Sequence, residues 1–442
     1  MNYVLAISSA LPLLMVAARH FDRFNRLFAI ISFLFALAFY CFPLAYAADA
    51  GYLSYGGITV PFSVSDRNSA LLAMLIFSSG FLACDFFRPI RKISLSPPRQ
   101  KFGGGMGQFL STAFPLVIYA VSIYLVYYLI TSDFYEYSRQ VRMKVTDGDY
   151  LVTTILLSFY YINCLLLIIN LKNKKYYSAV FSFLLAFLLI INFGGRVQVG
   201  IVLLIPIVHF IRRQGLLIAV GVIGGVIGLP IILQGKEIIA VAAIGGNVLD
   251  AVRASYSENL DPMGILNNFS HPFVSFYYSP VLISDLGYRL FWDIPQGFLF
   301  YLKLLGLNFG DSLTYYNTEI ILSKRESIVP PGYLAFGFVQ ANYFGVFIMG
   351  GIFRLTGYLA EVVKRDVGEG APAADFFLAF LAANTFYIGE VRGLVLTFLF
   401  PCALLYIVTR LTGGGGGFAV SRNGDSPRRL RVSRTGFAPP PR

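Results

Sequence analysis

The chain has 442 residues, of which 57% are hydrophobic and only 13% charged, with a mean hydropathy of +0.68 and a formal charge of +12. Soluble globular chains carry about 25% charged residues. Continuous apolar runs long enough to cross a bilayer exclude both that class and a β-barrel, whose strands alternate over short segments. The sequence therefore reads as an all-α polytopic membrane protein.

In chain order, eleven spans are expected, within a range of 10 to 14: residues 3–18, 27–48, 68–87, 109–131, 151–170, 176–193, 197–211, 216–234, 332–353, 375–390 and 394–410. They divide the chain into a bundle over 1–234, a loop domain over 235–331, a second bundle over 332–411 and a tail over 412–442. The tail, with its Gly413–Gly417 run and arginines, reads as disordered. If the spans alternate, the inner segments hold 23 Lys/Arg against 7 Asp/Glu, and the outer ones 12 against 16. The positive-inside rule then places the N-terminus outside, the C-terminus in the cytoplasm and the long loop outside. Inner charge that follows topology and anionic lipid accounts for the basic balance, so no nucleic-acid partner is expected.

The first apolar segment reads as a span rather than a cleaved leader, because no small-residue cleavage pattern precedes a mature domain. Cys41, Cys84, Cys164 and Cys402 all fall in apolar runs and have no metal or disulfide spacing. Neither metal nor cofactor is expected.

The outer loop alternates apolar pieces such as Val281–Ile283 and Phe298–Leu305 with aromatics, including Phe273, Phe276, Tyr277, Tyr278, Tyr288 and Trp292. This reads as short helices at the outer interface, serving as a resting cap or as a lid over a substrate. Arg196, after Gly194 and Gly195, has little water-exposed chain around it, and an ionised group near membrane depth points to function or to snorkelling. Arg139 and Arg142 share a face if their segment is helical. Lys324, Arg325 and Glu326 stand just before Pro330-Pro331-Gly332, as a headgroup-level site or an anchor. Arg67 beside Asp66 reads as an anchor or ion pair, and Glu390 and Arg392 flank the last outer turn. His271 is the outer histidine, a candidate general base beside the carboxylates Asp311 and Glu326.

Three features resemble the Wzy-type O-antigen polymerases, a family of bacterial oligosaccharide repeat-unit polymerases: the span count with one large outer loop, the outer arginines with Gly-Gly-Arg196, and the run Pro330-Pro331-Gly332 … Asn342-Tyr343-Phe344-Gly345 … Gly350. Tyr343, between Asn342 and Phe344, departs from that family's pattern, as do the odd span count and outside N-terminus. The resemblance implies a GT-C-like, metal-independent, inverting glycosyltransferase in the bacterial inner membrane, active on its periplasmic face. Its donor and acceptor would be undecaprenyl-diphosphate-linked oligosaccharides, with membrane lipid and a polysaccharide co-polymerase chain-length regulator as further partners. It implies that Arg196, helped by Arg139, Arg142, Arg289, Lys324 or Arg325, stabilises the departing diphosphate. His271 or Glu326 would be the base, and Tyr277 and Tyr278 would lie against sugars. An O-antigen ligase acting on lipid A core and a lipid-linked oligosaccharide flippase or transporter are the alternatives.

Overall fold

A computed structural model describes residues 2–55, 58–87, 105–131, 147–193, 196–211, 247, 249–250, 253, 269–299, 312–322, 329–367, 372–404 and 406, with backbone alone at 54, 58, 105–112, 130–131, 147–155, 191–193, 196–197, 365–367, 392 and 396. The expected span 216–234, the tail, and Phe300–Leu305 of the outer loop lie outside the described residues.

Helix α1 (Asn2–Arg19) turns into α2 (Arg23–Ala36), whose first turn is capped by Asp22 accepting from the Asn25 amide at 2.9 Å. The helix widens through a π-turn at Leu37–Cys41 and continues as α3 (Phe42–Ala50), which stops at Gly51 with φ +74°. A short antiparallel hairpin follows, β1 (Tyr52–Tyr55) with β2 (Ile58–Pro61), Tyr52 facing Pro61. Helix α4 (Val64–Phe87) opens with a reciprocal cap, because Ser63 and Asp66 each bond the other's amide. Asp66 is committed there, and Arg67 reaches Asn2 and Asn68 instead.

Helices α5 (Gly105–Thr131), α6 (Asp147–Lys172), α7 (Tyr176–Phe193) and α8 (Arg196–Phe210) form a second group. Helix α8 joins it to the first group by packing on α13 (Pro372–Ile388). Within the group, Asn163 donates to Ser122 at 2.7 Å, and Tyr119, Asn170 and Ser182 bond one another, so these polar side chains find partners inside the apolar interior.

The described part of the loop expected over 235–331 holds α9 (His271–Leu286), α10 (Asp293–Leu299) and α11 (Leu313–Leu322). The first half of α9 does not lie free at a surface. Pro272, Phe273, Val274, Ser275 and Phe276 are buried, and the helix packs on α12 (Gly332–Val367). Of the loop aromatics, Tyr288 and Trp292 are exposed while Phe273 and Phe276 are core. The last described element is α14 (Val391–Leu394), which runs on through a π-turn at Val395–Leu399.

Among the described residues, four helices are long and apolar enough to cross a membrane: Asn2–Arg19, Arg23–Ala50, Val64–Phe87 and Gly332–Lys364. Shorter apolar helices cover 113–129, 156–172, 176–190, 198–210 and 372–388. Apolar side chains such as Val4, Met15, Leu72 and Leu116 point outward from these helices, as lipid-facing residues do. Helices α4 and α12 meet at backbone distance: a Cβ on Gly80 would run into the Phe347 carbonyl, and one on Gly350 into that of Phe77. Small residues at a helix crossing allow this approach where apolar packing has no water to exclude.

Candidate functional site

Helix α12 is not the single straight span expected over 332–353. It breaks at Ala341 (φ −159°, ψ 40°) and Asn342 (φ 56°, ψ −145°). Eight residues of straight helix advance about 12 Å. Gly337 and Gly345 nevertheless touch backbone to backbone, so a short leg (332–340) and a long leg (343–367) fold toward each other. The short leg begins at Gly332, with φ +70°, where a Cβ would meet the Tyr40 hydroxyl and Pro272. Only glycine combines that backbone angle with that closeness.

A broken helix leaves carbonyls without intrahelical donors. The segment before α10 supplies donors: Arg289 N–H bonds Val339 O at 3.2 Å, Leu290 N–H bonds Gln340 O at 3.0 Å, and Phe291 N–H bonds Gln340 Oε1 at 2.7 Å. Leu290 and Phe291 take left-handed φ values of 46° and 64° to do so, an arrangement non-glycine residues adopt only under constraint. Asn342 caps the returning leg through Tyr343 N–H at 2.8 Å and donates to the Tyr288 hydroxyl at 3.3 Å.

Beside this cap sits a buried polar group. Arg289 grips Asp293 through two bonds, at 2.8 and 3.2 Å, and donates to Gln296 at 3.0 Å; Gln340 also donates to Asp293, at 2.6 Å. Asp293 is buried and Arg289 mostly so, so the guanidinium charge expected to meet a diphosphate is already matched by a carboxylate. Glu390 stands in the turn beyond the end of α13, with 5% of its surface exposed, and accepts from the Thr314 hydroxyl. Burial pushes its carboxyl up to about 8, and the nearby Asp293 charge pushes the same way. Glu390 is therefore predominantly neutral at pH 7 and can hold and release a proton near that pH. The preceding Gly389 (φ +66°) is pressed against the Gly332 backbone, which joins this turn to the start of the short leg.

His271 does not face open solvent. Its ring lies between Phe39 and Tyr387, with centroids 6.0 and 5.8 Å away, and Nε2 is buried with no hydrogen-bond partner among the described residues. Burial pushes its pKa down to about 3, so the imidazole is neutral at physiological pH. Tyr277 and Tyr278 serve packing here: Tyr277 donates to Pro61 O at 3.1 Å, and Tyr278 lines a small gap with Leu53, Tyr55, Val60, Val274 and Ile321. Arg196 is the first residue of α8, whose opening turn is pinned where the Tyr160 hydroxyl donates to Gln198 O at 2.7 Å. The Arg196 and Arg392 side chains lie outside the described residues, as do Arg139, Arg142, Asp311, Lys324, Arg325 and Glu326 altogether. The structure thus brings His271 and Arg289 to the α12 hairpin by different routes, through Pro272 against Gly332 and through the cap on Gln340.

A second polar cluster lies at the opposite end of α12 and was not singled out from the sequence. Arg354, fully buried, bonds Asp85 through Nε at 2.9 Å and through a terminal nitrogen at 2.7 Å, and donates to Asn25 at 2.8 Å. Its guanidinium lies 4.2 Å from the centroid of the Tyr358 ring. Arg19, His20 and the Tyr358 hydroxyl complete the shell of Asp85 at 3.3, 2.9 and 3.1 Å. Asp85 near the end of the 68–87 run and Arg354 just past 332–353 look in sequence like ordinary boundary charges.

The chain matches no family model, no curated protein and no solved structure.

Proposed function

We propose that this protein is an inner-membrane glycosyltransferase of the repeat-unit polymerase kind, with about eleven spans and a GT-C-like arrangement. It joins lipid-diphosphate-linked glycans at the periplasmic face. One observation carries the reading: the run Pro330-Pro331-Gly332 … Asn342-Tyr343-Phe344-Gly345 … Gly350 forms a broken helical hairpin fastened to the outer loop. Irregular backbone inside a membrane protein is tolerated where it is packed in protein or lines a cavity, and such places bind ligands.

In this reading a hydroxyl of the acceptor displaces the lipid diphosphate from the anomeric carbon of the donor glycan with inversion. The leaving group takes the bonding pair as its oxyanion, and outer arginines stabilise that charge. Arg196 leads this role, because Arg289 is already paired with Asp293. The hydroxyl proton passes to a base. Glu390 is stationed to exchange a proton near neutrality once ionised, whereas the neutral, enclosed His271 is a weak base. Glu326 remains the second carboxylate of this proposal.

The test is polymerisation in liposomes containing the purified protein and a synthetic undecaprenyl-diphosphate repeat unit. A ladder of products that is lost in Arg196→Ala, with folding verified by melting, is the expected result. Transfer to added lipid A core without a ladder reassigns the protein as a ligase. A specific observation favours a second reading, a flippase or transporter: α12 is discontinuous, and a buried Arg354–Asp85 pair lies within apolar helices, both common in transporters. Movement of the lipid between leaflets with no glycan transfer selects that reading.

A further inference from the structure

The cluster around Asp85 holds a histidine with a carboxylate at each ring nitrogen. His20 Nε2 is 2.9 Å from Asp85 Oδ1, and Nδ1 is 3.4 Å from Asp22 Oδ2. The residue is 7% exposed and stands in the turn between α1 and α2. A neutral imidazole donates from one nitrogen only, so its other lone pair would face a carboxylate. The imidazolium donates to both.

The charges around the ring pull in both directions. Among the described residues facing His20 are Arg19 from α1, Asp22 at the start of α2, Asp85 from α4 and Arg354 from α12, with Cys84 and the Tyr358 hydroxyl beside Asp85. Glu361 joins through Asn25, whose amide reaches both Asp22 and Glu361. On α13, Asp375 pairs with Lys364 and lies close enough to Asp22 and Arg23 to feel their charges. Arg354, 3.4 Å from Nε2, and burial both oppose the cation, but the two carboxylate bonds outweigh them and the His20 pKa is raised above its ordinary 6.5.

We propose that His20 is a proton-operated latch. As imidazolium it bridges Asp22 and Asp85 and completes the shell that ties the inner ends of α1, α2 and α4 to α12 through Arg354. As neutral imidazole it releases that tie. Because α12 carries the hairpin at its other end, the latch makes the seating of the helix responsive to pH on the inner side.

The sign follows from linkage. A histidine whose folded-state pKa is raised adds stability that is complete below about 6.5 and lost as pH rises through the folded value. The first test is ring-nitrogen NMR of full-length protein labelled with ¹⁵N-histidine in detergent micelles. Its three histidines, His20, His209 and His271, are assigned by His20→Gln, or by His209→Gln and His271→Gln if the first variant does not fold. The expected result is a His20 ring protonated on both nitrogens at pH 6.5, titrating above it. A midpoint at or below 6.5 overturns the proposal. The second test is hydrogen exchange over residues 355–364, corrected for the intrinsic pH dependence of exchange. Protection should fall about tenfold for each pH unit by which the folded midpoint exceeds 6.5. Protection that is unchanged across the His20 titration overturns the latch.

Discussion

Gly337 and Gly345 meet backbone to backbone across the break at Ala341–Asn342, and this contact sets the angle of the α12 hairpin. A methyl on Gly345 would overlap the Gly337 carbonyl, which belongs to the main chain and cannot rotate away. Gly345→Ala is expected to destabilise the protein by about 1–3 kcal/mol, the usual range for overpacking. Gly200→Ala, on α8 where a Cβ meets nothing within 4 Å, should be neutral or stabilising by up to about 1 kcal/mol. Thermal melting in one detergent compares the two, and equal melting temperatures would remove the hairpin contact from the account.

The Arg354–Asp85 pair is buried on both sides. Removing one partner strands the other charge in an apolar interior. Arg354→Met alone should therefore lose roughly 3–5 kcal/mol. The double variant Arg354→Met with Asp85→Leu should recover most of that loss. A double variant no better than the single one would show that Arg19 and His20 suffice to satisfy Asp85.

Glu390 is expected to make stability depend on pH. Its raised pKa means that the folded state keeps a proton which the unfolded chain has released above about 4.5. The stabilising contribution is present below that pH and declines, by at most about 1.4 kcal/mol per unit, until the folded value near 8 is passed. Glu390→Gln lacks this decline, so its melting temperature should rise relative to wild type between pH 5 and about 8. Parallel profiles would mean that the carboxyl is ionised in the folded protein.

His271 should show the opposite slope from His20. Its pKa is lowered by burial, so acid favours the unfolded chain, which takes up the proton below about 6.5. Replacing it with Phe, which preserves ring packing against Phe39 and Tyr387, should flatten the acid limb of the stability curve. An unchanged acid limb would show that the ring is accessible to protons as it stands.

Much of the fold was legible because apolar run length is a direct consequence of bilayer thickness. Described helices lie on every expected span except 216–234. The break in α12 was not legible. Neither proline nor a charge interrupts the run from Tyr333 to Phe353, and the break is fixed by distant partners, Arg289 and Leu290, whose amides take the freed carbonyls. Among the site residues, Arg289 was visible as an outer arginine. Its pairing with Asp293 follows from a one-turn spacing that becomes meaningful only once α10 is in place. Glu390 was noted as half of a turn pair with Arg392, but its burial depends on α11 bringing Thr314 over it. The Arg354 cluster went unread because 269 residues separate the partners.

That separation bears on how the protein is made. At synthesis rates of roughly 5–20 residues per second, α4 precedes the partner of its buried aspartate by on the order of tens of seconds. During that interval Asp85 already has Arg19 and His20 within reach, only 66 and 65 positions upstream. The N-terminal helix pair can act as a placeholder that keeps the carboxylate from lipid until Arg354 arrives. Shortening α1 would then show itself first as failed membrane insertion of α4, before any finished protein exists to be assayed.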